Sequence, residues 1–91
     1  AFVTYNFRGK VTEIIPKEKD LIEIKLDTSD SQTPEFIVAK TTTIFMLKEN
    51  KVEIVKINDI KVGLSVKLTM AYDPDKKTWD LKAISIKQES P

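Results

Sequence analysis

The sequence contains no cysteine and no histidine in its 91 residues. Without cysteine it has neither a disulfide framework nor a thiolate metal site. Without histidine it lacks the commonest general base and the commonest transition-metal ligand. These two absences remove most hydrolytic, redox and zinc chemistry from consideration, and we expect a protein without catalytic residues, metal or other cofactor.

The chain also lacks an excess of charge of either sign: it has 15 basic and 14 acidic residues, and its net charge is +1. Proteins dedicated to polyanions usually carry a stronger basic field, so the composition gives nucleic-acid binding little support. No apolar run approaches the roughly 18 residues of a transmembrane helix. The length predicts one domain over residues 1–91. Because the sequence begins at Ala1 rather than methionine, we expect it to have been processed or excised.

What the sequence does contain is alternation of apolar and polar residues with a period of two, rich in Val, Ile and Thr, which is typical of half-buried strands. Pro16 is predicted to end the pairing of the first strand. The segment 41–56 predicts a short strand, a turn and another extended stretch, together a hairpin. The last strand changes its inward face near Ala83, which predicts a bulge or burial on both sides. The predicted strands lie in "TYNFRGKVTEII", "LIEIKL", "EFIVAKT", "LSVKLTMAY" and "WDLKAISIK".

The chain has only two glycines, and both have predicted structural roles in turning or bending the backbone. Gly9 lies inside the first strand, where glycine serves a bulge, a bend or a close backbone approach. Asn58 or Asp59 is predicted to cap a brief helical turn, which Gly63 ends in a left-handed conformation. Short strands with no long helix to cover them favour a small closed or partly open antiparallel barrel of five to seven strands.

This strand order resembles that of the OB-fold, in which a glycine commonly lies in strand one and another just before strand four. Gly9 and Gly63 occupy those places. The pattern "FIVAKTTTI … IVKINDIKVGLSVKLT … WDLKAISIK" is similar to small uncharacterised OB-like domains of bacterial secreted proteins and lipoproteins, over most of residues 9–87. The resemblance implies a binding or structural role in the cell envelope or outside the cell. OB-folds usually have a helix between strands three and four, where this sequence is extended, so an SH3-like barrel is the alternative.

The resemblance also implies a binding surface on strands two and three, framed by the loops "PKEKD" and "DPDKKT". Four lysines in these loops are candidates for phosphate contact, although neighbouring carboxylates offset them and favour ordinary solvated turns. Single-strand binding also needs exposed aromatic platforms, and Phe36 is predicted to lie in the core instead. The candidate lysines are Lys17, Lys19, Lys76 and Lys77.

Tyr72 and Trp79 flank the last hairpin and are predicted to be neighbours across it. They either form a contact surface for a glycan or protein partner or simply fix the strand register. The pairs Asp27/Asp30 and Asp73/Asp75 lack the spacing and the glycine of a calcium loop. The serines have no histidine to activate them.

Three functions remain. The favoured one is a non-catalytic binding or structural module that contacts a protein or glycan at Tyr72, Trp79 and the nearby lysines. The alternative is an OB domain that binds single-stranded nucleic acid. A third is a subunit that self-associates through unpaired strand edges around residues 41–56.

Overall fold

A computed structural model describes residues 2–87, which form an all-β domain with one short 3₁₀ turn. Seven strands make one mixed sheet in the order β3-β2-β1-β6-β7-β4-β5. The predicted all-β class is therefore confirmed, while the sheet is open rather than closed by continuous strand pairing. Only β4 and β7 pair in parallel among the described strands. The elements are β1 (Val3–Glu18), β2 (Leu21–Leu26), β3 (Phe36–Val38), β4 (Thr43–Lys48), β5 (Lys51–Ile54), the 3₁₀ turn (Ile57–Asp59), β6 (Ser65–Asp73) and β7 (Thr78–Lys87).

The long strand β1 changes partner at its middle, pairing with β6 over residues 3–10 and with β2 from Val11 onward. Gly9 lies inside the strand beside this change and is not in a turn. A Cβ on Gly9 would meet Asp27 Oδ1 at 2.6 Å and Thr28 Oγ1 at 2.8 Å. The close backbone approach predicted for this glycine is confirmed.

The prediction that Pro16 ends the pairing of β1 is wrong, because Pro16 lies opposite Ile22 and the pairing reaches Glu18. In this half of β1 only one edge is paired, so the missing N–H of proline leaves no gap in a second ladder. A register irregularity follows between Pro16 and Glu18. The charged turn itself is confined to Lys19 and Asp20, and Asp20 has a φ of 59°.

The core lies on the face of β6 that carries Val66, Leu68 and Met70. Strand β7 contains the bulge expected near Ala83: Thr69 is opposite Ala83 and Met70 is opposite Leu81, which leaves Lys82 without a counterpart. Each strand from β1 to β4, β6 and β7 contributes to one apolar cluster. Its buried members are Val11, Ile24, Leu26, Phe36, Val38, Ile44, Ile60, Val66, Leu68, Met70, Leu81, Ile84 and Ile86.

The segment 41–56 forms the expected hairpin, with β4 and β5 antiparallel. The turn after it differs in detail from the prediction. Asn58 and Asp59 lie within the 3₁₀ turn rather than at its N-cap, which is Lys56. Asp59 Oδ2 accepts the Lys56 N–H at 2.8 Å and closes the turn from inside. Gly63 then has the predicted positive φ, at 96°, and donates its N–H to the Val11 carbonyl at 2.7 Å.

A buried threonine, Thr42, lies in the connection between β3 and β4. It links the part of the sheet that contains β2 and β3 to the part that contains β7. Thr42 Oγ1 donates to the Leu81 carbonyl of β7 at 2.9 Å and accepts the Ala39 N–H at 3.2 Å. The Thr42 side chain thus links the connection between β3 and β4 to β7, at a place where the backbone ladder is interrupted. Within residues 2–87, no helix is long and apolar enough to cross a membrane.

Candidate functional site

An aromatic patch forms where β1, β6 and β7 run past the core, and we define it by Tyr5, Phe7, Tyr72 and Trp79. Tyr72 lies directly opposite Trp79 in the β6–β7 pairing, as the sequence predicts. Val3 of β1 is opposite Tyr72, which brings Tyr5 and Phe7 onto the same face as these two rings. Strand register, rather than sequence proximity, assembles the patch.

Trp79 is the centre of the patch. Its ring centroid lies 4.8 Å from Tyr72, 5.3 Å from Tyr5 and 6.4 Å from Phe7. The interplanar angles of 44°, 53° and 67° are in the tilted and edge-to-face range that aromatic quadrupoles favour. Each such pair adds about 0.5–1.5 kcal/mol beyond its buried area.

One end of the patch is anchored in the core and the other is open. Phe7 packs on Phe36 with centroids 5.3 Å apart, and Phe36 is only 2% exposed. By contrast, Tyr5 is 45% and Trp79 is 37% exposed. The patch is therefore an aromatic surface that reaches solvent at one end and packs on the hydrophobic core at the other.

The turn that joins β6 to β7 holds the predicted residues Lys76 and Lys77 beside this patch. Asp73 Oδ1 accepts the backbone N–H groups of Asp75 at 3.0 Å and Lys76 at 3.4 Å, while Lys77 has a φ of 55°. Both lysine side chains are exposed. The Asp73 carboxylate is thus used to form the turn, whose tip carries Lys76 and Lys77 together with the exposed carboxylate of Asp75.

The other predicted lysines lie at the β1–β2 end of the sheet. Lys17 forms an ion pair with Glu23 at 3.1 Å, and Glu23 is buried. Lys19 is exposed in the turn. Among the described residues no hydrogen bond or ion pair joins these lysines to the aromatic patch, and Lys17 is paired with Glu23 instead.

The face of β2 and β3 lacks the stacking surface that single-stranded nucleic acid needs. Phe36 is buried, as predicted, and the outward residue of β3 is the half-buried Ile37. Base stacking, worth roughly 1–3 kcal/mol per base, has no aromatic partner there. Nucleic-acid binding on this face would require an exposed aromatic side chain, and Phe36 is buried.

The acidic loop between β2 and β3 is organised by its own hydrogen bonds. Asp30 Oδ1 accepts the Gln32 N–H at 2.9 Å and the Thr33 hydroxyl at 3.1 Å. These bonds to the ionised carboxylate hold the pKa of Asp30 below its ordinary value. Asp27 instead accepts the Lys10 N–H at 2.9 Å. Asp30 thus stabilises the loop internally, whereas Asp27 connects the start of the loop to β1.

Sequence reasoning found Tyr72 and Trp79 but did not place Tyr5 and Phe7 with them. The alternation in β1 does place Tyr5 and Phe7 on one face of the strand. The sequence does not show the register between β1 and β6, which brings that face beside Tyr72 and Trp79. Comparisons of the chain with protein-family models, with curated proteins and with solved structures found no match.

Proposed function

We propose that this protein is a non-catalytic binding module whose aromatic patch contacts a partner, and that the partner is a glycan. The observation that carries this proposal is the exposed Trp79 ring, held at fixed tilt by Tyr5 and Tyr72. A protein segment is the other partner class that such a surface serves.

A glycan suits the patch because its rings are amphipathic. Tyr5, Tyr72 and Trp79 each combine an apolar face, on which a sugar ring can stack, with an O–H or N–H donor at the edge. The rings are preorganised by their mutual packing and by the contact of Phe7 with Phe36. Little conformational entropy would be lost on binding, which favours a small ligand.

We further propose an OB-like barrel as the fold type. If β3 and β4 are treated as one strand interrupted at residues 39–42, the pairings follow a ring through β1, β2, β3/β4, β7 and β6. A five-stranded, partly open barrel has this kind of ring. The Thr42 hydrogen bond to Leu81 at the interruption supports the same arrangement.

A location in the bacterial cell envelope or outside the cell belongs to the same proposal and rests on the resemblance to domains of secreted proteins and lipoproteins. The complete open reading frame tests it. An export signal or a lipidation cysteine upstream would support the location, and a full-length product without any export signal would contradict it.

The binding proposal is tested by screening the protein against an array of neutral and acidic oligosaccharides, followed by titration of Trp79 fluorescence with each hit. Trp79→Ala and Tyr5→Ser should each weaken binding about tenfold or more, because each removes an apolar face from the ligand. Trp79→Phe keeps an aromatic face and should retain part of the affinity.

Lys76→Gln/Lys77→Gln provides a matched comparison in the neighbouring turn and shows whether an acidic sugar is preferred. Thermal unfolding of every variant is measured in parallel. If no oligosaccharide binds, and Trp79→Ala changes only the unfolding temperature, the rings serve strand register alone and the glycan proposal fails.

A further inference from the structure

The face of the sheet opposite the aromatic patch carries two rows of residues that cross five strands. Residues paired directly across strands share a face, so the pairings β1–β6, β6–β7, β7–β4 and β4–β5 define each row. The first row is Arg8, Lys67, Ser85, Phe45 and Ile54; the second is Lys10, Ser65, Lys87, Leu47 and Val52. Both rows begin basic and end apolar.

The basic half brings like charges together. Arg8 lies directly opposite Lys67, an arrangement that is unfavourable for a sheet unless an anion compensates it. None of the ion pairs found within residues 2–87 involves Arg8, Lys10, Lys67 or Lys87. These four cations are concentrated on one face of a chain whose net charge is only +1.

The cations and two serines line an open groove of about 700 Å³. Asp27 is the one carboxylate among the described residues that line it, and its Oδ1 is occupied by the Lys10 N–H at 2.9 Å. Ser65 lies between Lys10 and Lys87 in the second row, and Ser85 is next to Lys67 in the first. Cations interleaved with hydroxyl donors suit the oxygens of phosphate groups.

The apolar half is unusually exposed. Leu47, Val52 and Ile54 are 39%, 64% and 74% exposed, and Leu47 also lines the basic groove. The charged residues of β5, Lys51 and Glu53, alternate with these side chains and lie on the other face of the hairpin. The exposed aliphatic surface is therefore continuous with the cationic one.

We propose that this outer face docks on a lipid bilayer that contains anionic lipids. Lipid phosphates would contact Arg8, Lys10, Lys67 and Lys87, and the β4–β5 side chains would enter the boundary between headgroups and acyl chains. A soluble polyanion would use the basic half but would leave Val52 and Ile54 in water. Cationic and exposed aliphatic side chains lie in the same rows, and this favours a partner that is both anionic and apolar. The argument does not depend on the aromatic patch.

Co-sedimentation with vesicles tests the proposal. The protein should bind vesicles of one part phosphatidylglycerol to three parts phosphatidylcholine, but not phosphatidylcholine alone, and binding should weaken as salt is raised. At about 1 kcal/mol per basic residue, Arg8→Gln/Lys67→Gln should weaken binding roughly 30-fold. The charge-matched control Lys76→Gln/Lys77→Gln, in the β6–β7 turn, should change it less than threefold.

A second variant tests the apolar half. Val52→Ser/Ile54→Ser should weaken vesicle binding about tenfold while leaving the basic groove intact. Circular dichroism confirms that each variant is folded. Absence of binding to anionic vesicles, or an equal loss in the Lys76/Lys77 control, overturns the proposal.

Two other occupants have their own signatures. Binding of soluble polyphosphate or an oligothymidylate, without binding of vesicles, would assign the basic half to a soluble polyanion and overturn the membrane proposal. A dimer in sedimentation equilibrium that Val52→Ser/Ile54→Ser dissociates, again without vesicle binding, would assign the apolar half to a second copy of the chain. Either outcome replaces the bilayer as occupant.

Discussion

At the scale of single residues, the two glycines are required for different physical reasons. Gly9 is required by its neighbours, because a Cβ there would lie 3.2 Å from Leu26 Cβ and closer still to Asp27 and Thr28. Gly63 has open space where a Cβ would lie, since no atom beyond the glycine and its two chain neighbours is within 4 Å, but its φ is 96°. One position excludes a side chain by contact and the other by backbone conformation.

Gly63→Val should therefore destabilise the fold by about 1–3 kcal/mol through backbone strain alone. Gly63→Asn should cost less, because asparagine tolerates positive φ better than a β-branched residue does. Urea unfolding measures both. Equal stability of the valine variant and the parent, or loss of ligand binding at unchanged stability, would contradict a purely structural role for Gly63.

The hydrogen bonds to Asp30 predict a local pH dependence. Because the pKa of Asp30 is lowered by the Gln32 N–H first and the Thr33 hydroxyl second, its contribution to loop stability is complete above the ordinary pKa. That contribution is lost as the pH falls through the lowered value. The Asp30 carboxyl chemical shift should titrate with a lower midpoint in the folded chain than in the denatured chain. Thr33→Ala should move the folded midpoint upward, and a folded midpoint at or above the denatured one would contradict the assignment.

At the scale of elements, β1 and the β3–β4 junction hold the two parts of the sheet together. Strand β1 does so through backbone ladders to β6 and then to β2. The β3–β4 junction does so through Thr42, which is 7% exposed. Residues 39–42 belong to neither β3 nor β4. The Thr42 hydroxyl therefore provides the hydrogen bonds to Ala39 and Leu81 there.

Thr42→Val should destabilise the protein by about 1–3 kcal/mol, because it leaves the Leu81 carbonyl and the Ala39 N–H without their hydroxyl partner. Thr42→Ser keeps the hydroxyl and should lose less. Thr41→Val, one residue away and exposed, is the matched control and should change stability by under about 0.5 kcal/mol. A cost at Thr41 as large as that at Thr42 would show that the bridge is unimportant. Thermal or urea unfolding supplies all three values.

At the scale of the whole molecule, one hydrophobic cluster is shared by nearly all strands, in a body with principal extents of 43 × 26 × 25 Å. The aromatic patch and the basic groove use opposite faces of the same three strands, β1, β6 and β7. The glycan and the bilayer that we propose would therefore contact different side chains of these strands.

Because this single core spans the sheet, the domain should unfold in one cooperative step. Trp79 fluorescence reports on the patch and far-UV circular dichroism on the strands, and their urea transitions should coincide. The circular dichroism of Trp79→Phe checks that the tryptophan itself does not set the midpoint. An earlier fluorescence transition would show that the patch end of the β6–β7 hairpin opens separately from the core.

The parts of the fold that the sequence predicts are those decided by local periodicity. The strand pattern, the β4–β5 hairpin, the bulge beside Ala83 and the burial of Phe36 all follow from alternation and turn chemistry. The error at Pro16 has the opposite origin. Whether proline interrupts a strand depends on which of its edges is paired, and that is a tertiary fact.

The candidate site also has one part that depends on local sequence and another that depends on long-range pairing. Tyr72 and Trp79 are predictable because a short turn sets their register. Tyr5 and Phe7 reach them through pairing between strands that are distant in sequence.

By itself, then, the sequence determined the all-β class, the positions of most strands and the turn at Gly63, because these depend on side-chain alternation and backbone conformation within a few residues. It also identified Gly9 as structural, but the contacts with Asp27 and Thr28 that require glycine there are tertiary. Only the tertiary structure decided which faces meet: Trp79 with Tyr5, Thr42 with Leu81, and Arg8 with Lys67. The physical reason is that strand register over long sequence separations is set by how the whole core packs, and a shift of one residue in a strand would turn its side chains to the other face of the sheet.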